Sequence, residues 1–300
     1  MRALTWNLFH GRDSPPDRGL LTWRSRLLRI SERNATHVQV NRPLRSEFSA
    51  VLSRVEWDVA LLQEAPPQWL EPFCRDIGAS GAAALTARYF LHGARALLAE
   101  LNPDLMASGG GGSNQLLVRR PWRIAEVRRH TFTRRPERRR LVWARLVGPD
   151  GAEVAVSNMH ASTRRARAAA DVLGSAELVA QWSRGRPLIF GGDLNLRPRD
   201  APEAFDELER LYGLRGATAP DAIDHLLARE LDVIEPAHVL PDSERELPAD
   251  GGPGGSLRDP AAGDRRVLRL SDHPLVCARF AVDGTPNAEE RRYRRHGAGA

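Results

Sequence analysis

The acids, amides and histidines of this chain gather in short clusters, and each cluster lies at an end of an apolar run. Thr5-Trp6-Asn7 and Gln63-Glu64 close two such runs, and Asn158-Met159-His160 closes a third. Gly191-Gly192-Asp193-Leu194-Asn195 follows a fourth. Ile223-Asp224-His225 and Ser271-Asp272-His273-Pro274 open two more. Carboxylates with an amide oxygen are hard ligands, which suit Mg²⁺ or Mn²⁺ and not zinc. A histidine beside a carboxylate can move a proton or stabilise a phosphate near neutral pH. Asp193 and Asn195 could accept a proton from water and donate a hydrogen bond to it. Together these groups are the equipment of phosphoester hydrolysis.

Such clusters need a rigid frame, and short apolar strands alternating with helices supply it. Strands are expected at Arg2 to Leu8, Asp58 to Glu64, Gln115 to Val118, Trp122 to His130, Arg140 to Val147 and Glu153 to Ser157. Further strands fall at Pro187 to Phe190, Ala222 to Leu227, Val233 to Val239 and Leu275 to Val282. Leu44, Phe48, Val51, Leu52 and Val55 recur at helical spacing, and further helices are expected over Thr163 to Trp182 and Ala201 to Leu211. The four consecutive strands after Gly112 should pair antiparallel. Residues 10 to 43 read as a long surface loop with a short helix near Trp23 to Ile30. Residues 241 to 265, rich in Pro, Gly and Asp, read as a flexible loop. This pattern predicts an α/β sandwich, two sheets flanked by helices.

The chain is 42% hydrophobic and 27% charged, an ordinary globular balance that excludes wholesale disorder. All 44 basic residues are arginine and the net charge is +6, which would suit an anionic substrate. The runs Arg134, Arg135, Arg138 to Arg140 and Arg291 to Arg295 read as solvated faces. Cys74 and Cys277 are too few for a disulfide framework and are expected as buried free thiols. The N-terminus lacks a signal pattern and no run approaches the ~18 apolar residues that span a bilayer, so a soluble, cytoplasmic protein, with a monomer favoured, is expected.

TWN at 5 to 7, LLQE at 61 to 64, GGDLN at 191 to 195 and SDHP at 271 to 274 resemble the signature segments of the endonuclease/exonuclease/phosphatase superfamily, in its order. The resemblance implies a four-layer α/β/β/α sandwich with two mixed β-sheets packed face to face. It implies a metal site from Asn7, Glu64 and Asp272, with Glu64 central, and Mg²⁺ (or Mn²⁺) as cofactor. Asp193 would position or deprotonate the attacking water, and Asn195 would hold water and phosphate. His273 would contact the scissile phosphate, Asp224 would orient His273, and His160 would be a second phosphate-contacting histidine. Asn114, in a segment resembling a family motif, would contact substrate. The catalytic domain is expected over 1–282, with 283–300 a disordered tail.

The chain has Gln63-Glu64-Ala65-Pro66 where abasic-site endonucleases carry Gln-Glu-Thr-Lys, and Asn158-Met159-His160 where they carry Asn-x-Tyr. Both departures lean toward deoxyribonuclease- or sphingomyelinase-like members. The expected activity is phosphodiester hydrolysis, with DNA or RNA ranked ahead of a small-molecule or lipid phosphoester. His225 should point away from Asp224, since strand neighbours alternate. His10, His37, His92, His130, His238 and His296 read as structural.

Overall fold

Side-chain alternation sorts each central strand between two surroundings. In β1 (Arg2–Asn7), Ala3 joins one apolar cluster while Leu4 and Trp6 join another. In β4 (Val59–Ala65), Val59 and Leu61 face the first cluster and Ala60 and Leu62 the second. The same split recurs in β9 (Glu153–His160) and β10 (Leu188–Asp193), where Val154, Val156 and Ile189 meet the first cluster and Ala155, Leu188 and Phe190 a third. Strands apolar on both faces must be covered on both.

The computed structural model describes residues 1–86, 92–108, 111–134, 138–249 and 266–282. Its remaining strands are β2 (Glu32–Arg33), β3 (His37–Gln39), β5 (Ala79–Leu85), β6 (Ser113–Arg119), β7 (Arg123–Thr133), β8 (Arg139–Val147), β11 (Asp224–Arg229), β12 (Asp232–Val239), β13 (Glu246–Pro248), β14 (Val267–Arg269) and β15 (Val276–Ala281). One sheet runs β12-β15-β1-β4-β6-β5 and a second β11-β10-β9-β8-β7. The pairs β1/β4 and β9/β10 are parallel and their neighbours antiparallel, so both sheets are mixed.

The first apolar cluster lies between the two sheets. The second packs Trp6, Phe48, Trp69 and Phe73 under α2 (Arg45–Arg54) and α3 (Leu70–Ile77). The third packs Trp143, Val172, Val179 and Leu208 under α6 (Arg165–Ser183) and α7 (Pro202–Tyr212). The result is the expected four-layer sandwich. No helix of the described residues is long and apolar enough to cross a membrane.

The structure corrects several local expectations. β6 does not pair with β7 but leaves for the other sheet, between β4 and β5. The segment 10 to 43 holds α1 (Trp23–Leu28) as expected, but also β2 and β3, which join β14 and β13 in a small third sheet. Residues 241 to 249 are not an open loop, because β13 pairs with β14 and buried Arg245 donates to the carbonyls of Ser271 and His273. The rest of that segment and the tail 283–300 lie outside the described residues. Helices α4 (His92–Leu101) and α5 (Pro103–Met106) were not anticipated. Cys74 and Cys277 are free, as expected, but half-buried.

Between the sheets, beneath the clusters, lies a buried amide network. Asn158 donates to the carbonyls of Leu62 and Gln115 at 2.9 and 2.7 Å and accepts from Gln63 Nε2 at 2.7 Å. Gln63 also donates to Thr5 Oγ1 at 3.0 Å. Buried groups stripped of partners cost the full desolvation penalty. Asn158→Leu should therefore lose about 3 kcal/mol of stability, measured by urea unfolding. A loss below about 0.5 kcal/mol would show that the network does not join the sheets energetically.

Candidate active site

The two parallel pairs finish at the same edge of the sandwich. Asn7 is level with Gln63 at the ends of β1 and β4, and Asp193 is level with His160 at the ends of β10 and β9. β11 runs antiparallel to β10 and begins opposite Asp193 with Asp224. Asn7 Nδ2 donates to Asp193 Oδ2 at 3.0 Å, which joins the two sheets at this edge.

Local backbone bends then aim the side chains. Glu64 adopts φ 48° where the β4/β6 register shifts between Leu62 and Ala65. Asn195 and Ser271 are also left-handed, at 49° and 58°. Such conformations cost about 1 kcal/mol or more in residues with a Cβ and persist where surrounding structure imposes them. Here Asn195 N–H donates to Asp193 Oδ1, while Ser271 Oγ donates to Asn7 O and accepts from His273 N–H. Gly192 (φ 125°) is required at its position, since an added Cβ would stand 2.0 Å from Met159 O.

The resulting contacts gather most of the anticipated residues. His160 Nε2 lies 3.4 Å from Asp193 Oδ2, and its Nδ1 lies 3.9 Å from Glu64 Oε1. His273 Nδ1 is 2.7 Å from Asp224 Oδ2, and its Nε2 is 3.9 Å from Asp193 Oδ2 and 4.0 Å from Asp272 Oδ1. Asn195 Nδ2 donates to Ala161 O at 3.1 Å. His225 turns away, as alternation predicts. Its Nδ1 accepts from Thr218 N–H and its Nε2 meets Leu196 O at 3.0 Å.

Asn114 is fully buried, and its Nδ2 donates to Arg140 O. Among the described residues no hydrogen bond joins it to Glu64, Asp193 or His273.

Burial and like charges set the protonation states. Burial opposes a charge on His273, yet the hydrogen-bonded Asp224 carboxylate, with Asp193 and Asp272, carries the ring up to about 10. Burial, then the neighbouring Asp224 carboxylate, pushes Asp193 upward. Burial, then the charges of Arg139 and His273, drive His160 well below its ordinary value, so it is neutral. Burial, then the Asp272 carboxylate, raises Glu64.

Among the described residues, two places offer ligand atoms for a cation. Asp193, Asp224 and His273 present atoms within 4.8 Å of one another. The second place is the gap between Glu64 and Asp272, whose carboxylates repel. A protonated imidazole has no lone pair to give, so the His273 group is better suited to hold a proton. The Glu64 side, with two hard carboxylate oxygens rather than an imidazolium, fits a divalent cation better.

The chain matches the Endonuclease/Exonuclease/phosphatase family over residues 4–273. It belongs to that family. The protein is accordingly a metal-dependent hydrolase of phosphoester bonds. Solved structures with the same fold include an endonuclease/exonuclease/phosphatase from Bacteroides vulgatus, 13% identical with a TM-score of 0.57, covering 94% of this chain and 98% of that one. The human Nocturnin catalytic domain with bound sulfate is 15% identical with a TM-score of 0.57, covering 94% and 93%. The mannosyl-6-phosphatase Bt3783 of Bacteroides thetaiotaomicron is 14% identical with a TM-score of 0.56, covering 94% and 99%. No curated protein matches by sequence.

Three residues beside this endonuclease/exonuclease/phosphatase site were not singled out by sequence reasoning. His10 Nε2 lies 3.2 Å from Glu64 Oε2, placed there by consecutive left-handed residues Phe9, His10 and Gly11. Burial, with Arg12 and Arg139, lowers its pKa to about 4, so it stands neutral beside Glu64. Arg139, read earlier as part of a solvated run, is only 7% exposed, and its charge acts on Glu64, His10 and His160. Arg12 stacks over Phe9, 3.8 Å from the ring centre, and also acts on Glu64. The one available signal was Gly11 after His10, marking a turn directly after the Asn7 strand.

Proposed function

We propose that this protein hydrolyses phosphodiester bonds by in-line attack of water, using Mg²⁺ (or Mn²⁺) held by Glu64 with Asp272 and Asn7. The observation that carries the reading is the convergence of Glu64, Asp193 and His273 from both sheets on one edge, linked through His160 and Asn7. A cation bound there would polarise the phosphoryl oxygen and offset charge on the leaving oxygen.

The chain's own residues do the rest. Asp193, with a raised pKa, takes a proton from the attacking water, and the backbone N–H of Asn195 fixes its carboxylate. The Asn195 amide holds water and phosphate. His273, kept cationic by Asp224, stabilises charge developing on the phosphoryl oxygens. Neutral His160 donates a hydrogen bond to the same phosphate.

For the substrate, nucleic acid is favoured by the arginines beside Glu64, Arg12 and Arg139, and by the net charge. A second reading, a lipid or other amphiphilic phosphoester, is favoured by exposed leucines near a groove at His10. Hydrolysis should be assayed with Mg²⁺, Mn²⁺ and EDTA across DNA, RNA, bis(4-nitrophenyl) phosphate, phosphomonoesters and phospholipid. The expected result is metal-dependent, EDTA-abolished diester cleavage, with DNA or RNA turnover falling steeply as salt rises. Turnover confined to phosphomonoesters would overturn the diester reading. Full activity in EDTA would overturn the metal reading.

A further inference from the structure

The segment around α1 is built inside out. Its core-facing side is polar: Ser25, Gln39 and Asn41 are buried, and Ser25 and Gln39 bond each other and Asp104. Asn41 Nδ2 reaches the carbonyls of Ser25 and Arg26, and Asn102 Nδ2 reaches that of Arg26 at 2.8 Å. Its outward side is apolar, with Trp23 65%, Leu27 59% and Leu28 57% exposed. A short helix is marginal on propensity alone, so these polar bonds and the Thr22 cap are what present Trp23 and the leucines to the outside.

The neighbouring helices also expose apolar side chains. α5 packs against α1 and α4, and Leu98, Leu101 and Leu105 there are also exposed. The same two helices contribute Ala99, Glu100 and Pro103 to the groove that His10 lines, so the face borders the catalytic edge. Large apolar side chains exposed on three adjoining helices mark an interaction site.

Charge identifies the occupant. Between residues 17 and 33 there are five arginines, and among the described residues Arg18, Arg24, Arg26 and Arg33 form no ion pair. The nearby acids are engaged locally: Asp17 accepts from Gly19 N–H, Glu32 from Thr22 Oγ1 and Asp104 from Gln39. Exposed Trp and Leu with interspersed arginine is the chemistry of a surface that enters the headgroup layer of an anionic bilayer. We propose that the face formed by α1 and the exposed leucines of α4 and α5 docks this enzyme on an anionic lipid membrane, with the groove at His10 beside the headgroups. Nucleic acid would engage the arginines but leave the leucines in water. The inference holds whichever phosphoester is cut.

The full chain should be sedimented with vesicles of phosphatidylcholine alone and of phosphatidylcholine mixed with phosphatidylserine. Binding is expected to the mixed vesicles and to weaken with salt. Trp23→Ser/Leu27→Ser and Arg24→Glu/Arg26→Glu should each weaken it about tenfold or more. Both double variants alter exposed side chains, so hydrolysis of bis(4-nitrophenyl) phosphate should stay at the wild-type level, which separates docking from catalysis. No vesicle binding by the wild type, or equal binding by both variants, would overturn the proposal. It would also be overturned if the substitutions abolished oligonucleotide binding, or split a dimer on size exclusion, while vesicle binding was unchanged.

Discussion

Glu64→Gln is expected to lower kcat/KM about 10³-fold, or about 4 kcal/mol of transition-state stabilisation, while the protein stays folded. The substitution keeps the shape that fits the register shift at the end of β4, beside His10. What it removes is the negative charge that, with Asp272, would hold the cation. The sign for stability can be worked out from the pKa. Because the folded state raises Glu64, its contribution favours folding at low pH and is lost as pH rises through the folded pKa. At neutral pH the ionised side chain therefore costs stability, and a neutral amide relieves that cost. Thermal unfolding without metal should show a variant at least as stable as the wild type, and calorimetric titration with Mn²⁺ should show weakened binding. Turnover and Mn²⁺ affinity both near wild type would remove Glu64 from the metal site.

Asp224→Asn is expected to lower activity about 10²-fold at pH 8 and to restore part of it under mildly acidic conditions. In the wild type the His273 ring is held up to about 10 chiefly because Asp224 outweighs burial, so the imidazolium persists across the neutral range. Its stabilising contribution is complete below 6.5 and is lost as pH rises through about 10. With asparagine at 224 the 2.7 Å charged hydrogen bond is gone and burial acts against fewer opposing charges. The alkaline limb of the pH–rate profile should then move down toward the neutral range. Titration of the His273 ring protons by NMR provides a readout independent of turnover. An unchanged limb, with His273 still cationic at pH 8, would show that Asp224 does not set its charge.

The strand-end clusters were legible because a polar residue closing a fully apolar strand has few structural uses. Glu64 and Asp193 therefore stood out in the sequence, and the structure brings them to one edge. His10 was not legible. It lies three residues beyond Asn7, and only a left-handed turn through Phe9, His10 and Gly11 returns its ring to Glu64. Arg139 was hidden in an arginine-rich run, because charge alone does not tell which member of a run the end of a strand will bury. β5, with the sequence ASGAAAL, carries too little apolar alternation to announce a strand, and its pairing with β6 supplies the order. Asn158 was noted only as a neighbour of His160. Its hydrogen bonds to Gln63, Leu62 and Gln115 depend on the second sheet, which no local pattern contains.

The hydrogen bond from Asn7 to Asp193 has a mechanical consequence. Because each sheet brings its own half of the machinery, alignment among the described residues is the relative slip of two stacked plates. Ligand occupancy and global unfolding should then act as one cooperative event. Amides in β1 and β10 would slow their hydrogen exchange together when the cleft fills, rather than one after the other.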